Sequence, residues 1–202
     1  MNKNERYSIE KYDSIANTYD TSFDGKFTAK FKQIMLELCR VSDGDRVLDV
    51  GCGNGKLIIE ISRKADIKAY GVDISPNMIN VCEQRYGNID FRTTSGEDLP
   101  FEDGSFDMLT ICCVLHHLNN PYKFFAEAYR VLAKDGVLVV GEPCFPFVIR
   151  KFTDWIISPL IKAGDNKLFS HKRLKKLFFN NGFSIVEVYK NDFKQIIKGR
   201  KI

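Results

Sequence analysis

Residues 46–61 read RVLDVGCGNGKLIIEI: a short β-type run, three glycines at alternate positions, then an apolar stretch with helical spacing. A strand that turns through Gly51, Gly53 and Gly55 into a helix leaves the carboxyl edge of a sheet without Cβ atoms, so backbone N–H groups there can approach a ligand closely. Any nucleotide cofactor would fit that description, and the spacing narrows it. A dinucleotide fingerprint runs G-x-G-x-x-G, whereas this turn runs G-x-G-x-G and carries an acid, Asp49, in the strand end just before it. A pyrophosphate would meet that carboxylate with like charge; a ligand bearing a cationic amino group would favour its ionised form.

The rest of the chain repeats strand and helix in alternation, which implies a parallel sheet covered by helices on both faces. RVLDV (46–50), IKAYGVD (67–73), IDFRTT (89–94), FDMLTICC (106–113) and GVLVVGE (136–142) are expected strands. GKLIIEISRKA (55–65), SPNMINVCEQRYG (75–87) and NPYKFFAEAYRVLAKDG (120–136) are expected helices, the last two opening on Ser75-Pro76 and Asn120-Pro121 as cap and first-turn proline. One or two further helices are expected ahead of the first strand, as a helical cap over residues 1–40. Near the carboxyl end, SHKRLKKLFFNNGF (170–183) reads as a capped helix ended by Gly182, and SIVEVYK and FKQIIKG (184–199) as antiparallel strands around a turn at Asn191-Asp192. The expected fold is an α/β, Rossmann-like doubly wound sheet of seven strands, mostly parallel with a C-terminal antiparallel hairpin, in a single domain over residues 1–202.

The second expected strand ends at Asp73, 22 residues beyond Gly51, where a carboxylate can accept both hydroxyls of a ribose. A ribose without a pyrophosphate points to S-adenosylmethionine. These features belong to a longer ordered set: YDSIANTYD (12–20), VLDVGCGNGKL (47–57), GVDISPNMI (71–79), EDLPFEDGSFDML (97–109), LHHL (115–118) and VLAKDGVLVVGEP (131–143). On those motifs the chain, from about residue 7 to 142, resembles the class I S-adenosylmethionine-dependent methyltransferases, in the type 11 branch that includes the ubiquinone/menaquinone biosynthesis C-methyltransferases.

The resemblance implies a set of site residues. Asp49, Gly51, Cys52, Gly53 and Gly55 would line the methionine and ribose portion of the cofactor, and Asp73 would bind the ribose hydroxyls. Ile74 and Met78 would flank the adenine, with Ser95, Glu97 and Asp98 closing over its edge. The family pattern G-D-A-E-x-L-P-F has an acid where this chain has Ser95, a weaker acceptor for the adenine amino group. Cys112 and Cys113 would lie beside the reactive sulfonium. Tyr12 and Tyr19 resemble tyrosines that cover the cofactor in relatives, with packing against the core as the alternative.

A methyl group on a sulfonium carries its own leaving group, so such an enzyme mainly positions its reactants and needs no nucleophile. A carbon or oxygen acceptor benefits from a base, for which His116 and His117 are the candidates; structural turn histidines are the alternative. Base-directed amino methyltransferases often carry [DNS]-P-P-[YFW] after the fourth strand; CCVLHH stands here, which argues against a nucleic-acid partner. The expected acceptor is a small apolar metabolite of quinone or lipid-precursor type, met by a lid or pocket insertion at 145–169 that carries Phe145, Phe147, Phe152 and Trp155. An RNA or protein methyltransferase using the basic tail, or a non-catalytic cofactor-binding partner subunit, are the other readings.

The six cysteines form no C-x-x-C pair and no Cys/His metal spacing, so reduced, packed thiols and no metal are expected. No apolar run could span a bilayer and the first residues lack the apolar core of a signal peptide, which places the protein in the cytoplasm. Residues 143–202 hold 13 Lys/Arg against 4 Asp/Glu, while the whole chain carries a formal +4. The basic character is thus a property of the tail, where peripheral contact with a membrane remains open.

Overall fold

The computed structural model describes residues 3–144, 168–191 and 193–202. The expected lid at 145–169 lies, apart from its last two residues, outside them. Two helices come first, α1 (Lys3–Ile15) and α2 (Phe23–Leu38), joined by a 3-10 turn at Ala16–Thr21. There follow β1 (Arg46–Val50), α3 (Lys56–Ser62), β2 (Lys68–Asp73), α4 (Pro76–Arg85), β3 (Asp90–Thr93) and β4 (Phe106–Cys112). After a second 3-10 turn at Leu115–His117 come α5 (Pro121–Val131), β5 (Leu132–Pro143), α6 (His171–Asn180), β6 (Phe183–Asn191) and β7 (Lys194–Lys201).

The seven strands form one sheet in the order β3-β2-β1-β4-β5-β7-β6. The first five are mutually parallel, and β7 runs antiparallel between β5 and β6. Strand order reverses between β1 and β4, and in open α/β sheets ligands bind at the carboxyl edge of that switch point. The near-continuous apolar runs of β1, β4 and β5 reflect burial on both faces. One core layer, with Phe124, Phe125, Leu174 and Phe178, packs α5 and α6 on one face; the other, with Phe31, Met35, Leu57, Ile58 and Ile61, packs α2 and α3 on the opposite face.

Helix starts follow the expected chemistry. Ser75 Oγ accepts from Met78 N (3.1 Å), Asn120 Oδ1 from Tyr122 N (3.1 Å) and Ser170 Oγ from Arg173 N (3.2 Å), with Pro76 and Pro121 in first turns where no N–H is needed. Helix ends differ from the sequence reading in two places. The helix expected over 120–136 stops at Val131, because Leu132 turns extended, is fully buried and pairs with Phe106 at the start of β5. Tertiary pairing there overrides the helix propensity of Leu-Ala-Lys. The helix expected over 55–65 stops at Ser62, and Lys64 Nζ instead bonds the carbonyls of Leu36, in the last turn of α2, and of Cys39, the residue that caps it (2.9 Å).

Candidate active site

The glycine turn lies where β1 ends beside β2 and β4. Gly51, Gly53 and Gly55 all have positive φ (66°, 55° and 78°), a region that side chains other than glycine rarely adopt. Their surroundings separate their roles. A Cβ on Gly51 would lie 2.4 Å from Val114 Cγ2, so this glycine lets the segment after β4 pack down on the turn. A Cβ on Gly53 would meet nothing nearer than Tyr19 Cε1 at 4.0 Å, in open cleft. At Gly55 the close neighbours are Cys82 and Tyr86 of α4 and the segment after it, so the third glycine serves packing of the turn rather than the cleft wall.

Asp73, at the end of β2, anchors this turn. Its Oδ2 accepts from Gly53 N (2.8 Å) and its Oδ1 from Ser75 N (2.9 Å). The Ile74 backbone also donates to this carboxylate, and of its roughly four lone-pair sites acceptor capacity remains after those bonds. Burial raises the Asp73 pKa, and the backbone donors offset part of that rise.

Around this edge opens a cleft of about 860 Å³, counting the part continuous with solvent. Of the residues singled out in the sequence, Tyr12, Tyr19, Gly51, Gly53, Asp73, Ile74, Met78, Ser95, Glu97, Cys112, Cys113 and His117 line it. Ile74 and Met78 supply an apolar wall beside Asp73. Glu97 also spends one oxygen on the following segment, accepting from Asn119 N (2.7 Å) and Asn120 N (3.0 Å). Cys113 is held at φ 55°, with its N–H on Gly141 O (2.8 Å). Burial pushes its thiol well up, which makes it a poor nucleophile.

Helix α1 crosses over the cleft, pinned at both sides. Asp13 Oδ1 accepts from Ser75 Oγ and from Asn77 N (3.1 Å) on the α4 side. On the other side Tyr12 Oη lies 3.1 Å from His117 Nε2, with the two rings edge to face. Tyr19, beneath, bonds Thr28 (3.2 Å) on α2, and burial raises its phenol well above the usual range.

Besides Gly55, four residues assigned to the site on sequence alone lie off the cleft wall. Cys52 packs into the core layer of α2 and α3, its thiol toward Cys82 and the carbonyl of Gly53. Asp98 is exposed at the surface, its backbone carbonyl taken by Thr94 Oγ1. His116 turns inward, with Nδ1 2.8 Å from Oε2 of the fully buried Glu142, whose Oε1 accepts from Leu115 N (2.9 Å). The two histidines share one 3-10 turn and their rings lie 4.2 Å apart, yet they engage different partners, Glu142 for His116 and Tyr12 for His117.

Asp49 is the fourth. Only 2% exposed, it lies beneath the turn and its Oδ1 accepts from Thr110 Oγ1 on β4 (2.6 Å). Burial lifts its pKa to about 6, with Asp73 adding to the rise while Thr110 and Lys32 offset part of it. Between about pH 4 and 6 the folded chain therefore holds a proton here that the unfolded chain has released. That stabilisation, on the order of 3 kcal/mol, is present in full below about pH 4 and is lost as pH rises to about 6. Asp49→Asn, which keeps an acceptor for Thr110, is expected to flatten the loss of thermal midpoint between pH 4 and 7 in the ligand-free protein; an unchanged slope would contradict it.

The sequence reading missed Lys32. Thr28 and Lys32 lie one helical turn apart on α2, beside the buried stripe of Phe31 and Met35, and both line the cleft. The Lys32 ammonium stands over the Tyr19 ring (5.6 Å) and lowers the pKa of Asp49, Asp73 and Cys113. Nothing in the sequence separates it from the neighbouring Lys26 and Lys30. Ser8 on α1, a lining residue, was missed as well; it is buried, and its Oγ has no hydrogen-bond partner among the described residues.

Comparison with known proteins adds to this geometry. A family described as methyltransferase domain matches residues 48–140. The demethylmenaquinone methyltransferase of Renibacterium salmoninarum is 33% identical over 156 residues, 74% of this chain and 65% of that protein. The chain thus spans less than two thirds of that relative's length. An uncharacterized protein of Methanocaldococcus jannaschii is 30% identical over 191 residues, covering 95% of this chain and 89% of the other. Among solved structures, an S-adenosylmethionine-dependent methyltransferase of Thermotoga maritima superposes with a TM-score of 0.75 over 96% of this chain and all of that one, at 20% identity, a likeness of fold.

Proposed function

The chain belongs to the class I S-adenosylmethionine-dependent methyltransferases, and we propose that it transfers a methyl group to a small apolar acceptor of the quinone- or lipid-precursor type in the cytoplasm. The observation that carries the acceptor class is the identity with demethylmenaquinone methyltransferases across most of this chain.

The residues of the cleft fit the cofactor. Gly53 leaves room where any Cβ would intrude, Asp73 keeps acceptor capacity for a diol, and Ile74 and Met78 offer an apolar surface for a base. When bound, S-adenosylmethionine supplies the methyl group on a sulfonium that is its own leaving group. The chain's work is to orient and enclose. Asp73 fixes the ribose, the turn admits the amino-acid portion, and α1 covers one side of the cleft through Asp13 and Tyr12. His117, whose Nε2 lies 3.1 Å from the Tyr12 phenol, is the candidate base for a carbon or oxygen acceptor, with that phenol, which also lines the cleft, as the relay. His116, engaged by Glu142, supports the turn that carries it.

Lys32 has its place in this scheme as the cation for the cofactor's carboxylate, beside the glycine turn and Tyr19. Lys32→Met is expected to weaken S-adenosylhomocysteine binding by roughly 10- to 100-fold, the worth of one charge-assisted hydrogen bond, and to leave 5′-methylthioadenosine, which lacks the amino-acid portion, unchanged. Equal losses for both ligands, or none, would remove this role. The acceptor is tested with methyl-labelled S-adenosylmethionine and a demethylated naphthoquinol. Label in the quinol is the expected result, and label in RNA or protein with none in the quinol would contradict the proposal.

A further inference from the structure

We propose that the outer face of α6 and the adjoining edge strand β6 form a docking surface for an anionic phospholipid bilayer. Helix α6 seats Leu174, Leu177 and Phe178 in the core. That orientation turns Lys172, Lys175, Lys176 and Phe179, at i, i+3, i+4 and i+7, outward in a single stripe. Phe179 is 80% exposed, an aromatic ring set among lysines with no core to enter.

Strand β6 extends the patch. It is the last strand of the sheet, paired on one side only with β7. Its exposed Ile185 and Val188 stand opposite Gly199 and Ile197, whose inner neighbours belong to the core layer beneath α6, so both side chains emerge on the α6 face. Helix and strand meet around His171, whose pKa is lowered first by burial and then by Lys175 and by Lys190 of β6. Residues 168–202 carry nine Lys/Arg against two Asp/Glu, and Glu187 sits on the opposite face, 4.0 Å from Lys198.

The composition of the patch selects its partner. A second copy of this chain would bring the same lysines against each other, a like-charge contact that costs free energy. RNA would engage the cations but gains nothing from Ile185 and Val188. An anionic bilayer satisfies both halves, with lysines at the headgroups and Phe179, Ile185 and Val188 at the boundary of the acyl region. The surface also reaches the edge of the sheet on which the cleft opens. β6 runs parallel to β5, since each is antiparallel to β7, so Lys190 and the start of α6 fall on the carboxyl edge where the cleft opens. An acceptor dissolved in the membrane would meet the enzyme there, a consequence that rests on the proposed acceptor class, whereas the docking itself does not.

The experiment is flotation of the full chain with phosphatidylcholine vesicles, with and without phosphatidylglycerol. Binding is expected only to the anionic vesicles, weakening at least about tenfold between low salt and about 0.5 M salt. Lys175→Glu with Lys176→Glu should weaken it by roughly 25-fold or more, and Phe179→Ser by about tenfold. All three positions are exposed, so circular dichroism and S-adenosylhomocysteine affinity should match the unaltered chain. No binding to anionic vesicles, equal binding by the variants, or tighter retention on single-stranded RNA that these variants abolish would each overturn the proposal.

Discussion

Asp73→Ala is expected to weaken S-adenosylmethionine binding by roughly 100- to 10,000-fold. Two losses add at this position. The first is direct: a carboxylate accepting two ribose hydroxyls makes charge-assisted bonds of about 1.5–3 kcal/mol each. The second is indirect, because the same oxygens hold Gly53 N and Ser75 N, and without them the turn loses its anchor to β2. Stability of the ligand-free chain should change far less. Burial raises the Asp73 pKa, so removing this carboxylate relieves a desolvation cost that offsets part of the loss of its backbone bonds. Asp73→Asn, with one acceptor oxygen left, should fall between the two proteins. Calorimetric affinities set beside urea midpoints make the test; a variant that unfolds and binds in proportion, or that binds normally, would show that Asp73 is structural alone.

Gly53→Val should abolish measurable cofactor binding in a chain that still folds. Valine at φ 55° pays backbone strain of about 1–2 kcal/mol, and its side chain would project into open cleft rather than into packed atoms. The clash is therefore with the ligand. Gly51→Val is the informative control, since its Cβ would overlap Val114 at 2.4 Å and the penalty would fall on folding itself. Thermal midpoints should drop much further for Gly51→Val than for Gly53→Val, while both lose binding. The opposite order would mean that the two glycines have been assigned to the wrong walls of the turn.

How much of this was legible in the sequence depends on how local the information is. The glycine turn, Asp73 and the strand–helix alternation are short-range patterns, and they place the cleft at the β1/β4 switch point without any knowledge of packing. Asp49 looks ligand-facing in the linear motif, yet Thr110, on a strand 61 residues later, is the group that takes its oxygen. His116 and His117 are equivalent in a string of letters; Glu142, on β5, decides which of them turns inward. Lys32 carries no signature because its entry into the cleft depends on the angle at which α2 packs over the sheet. The same reasoning explains Leu132, where a buried partner at Phe106 outweighs local helix propensity. Charge in the tail was visible from composition, but its gathering with Phe179, Ile185 and Val188 on one face required the bulged register of β6 on β7.

The central claim is that the turn at Gly51–Gly55 and Asp73 bind S-adenosylmethionine and not a dinucleotide. Isothermal titration of the purified chain with S-adenosylmethionine, S-adenosylhomocysteine and NAD, run in parallel, tests it most directly. The account predicts one site for each of the two sulfur compounds, lost in Asp73→Ala, and no heat from NAD. Binding of NAD at that site, or no binding of either sulfur compound by a chain shown to be folded, would contradict it.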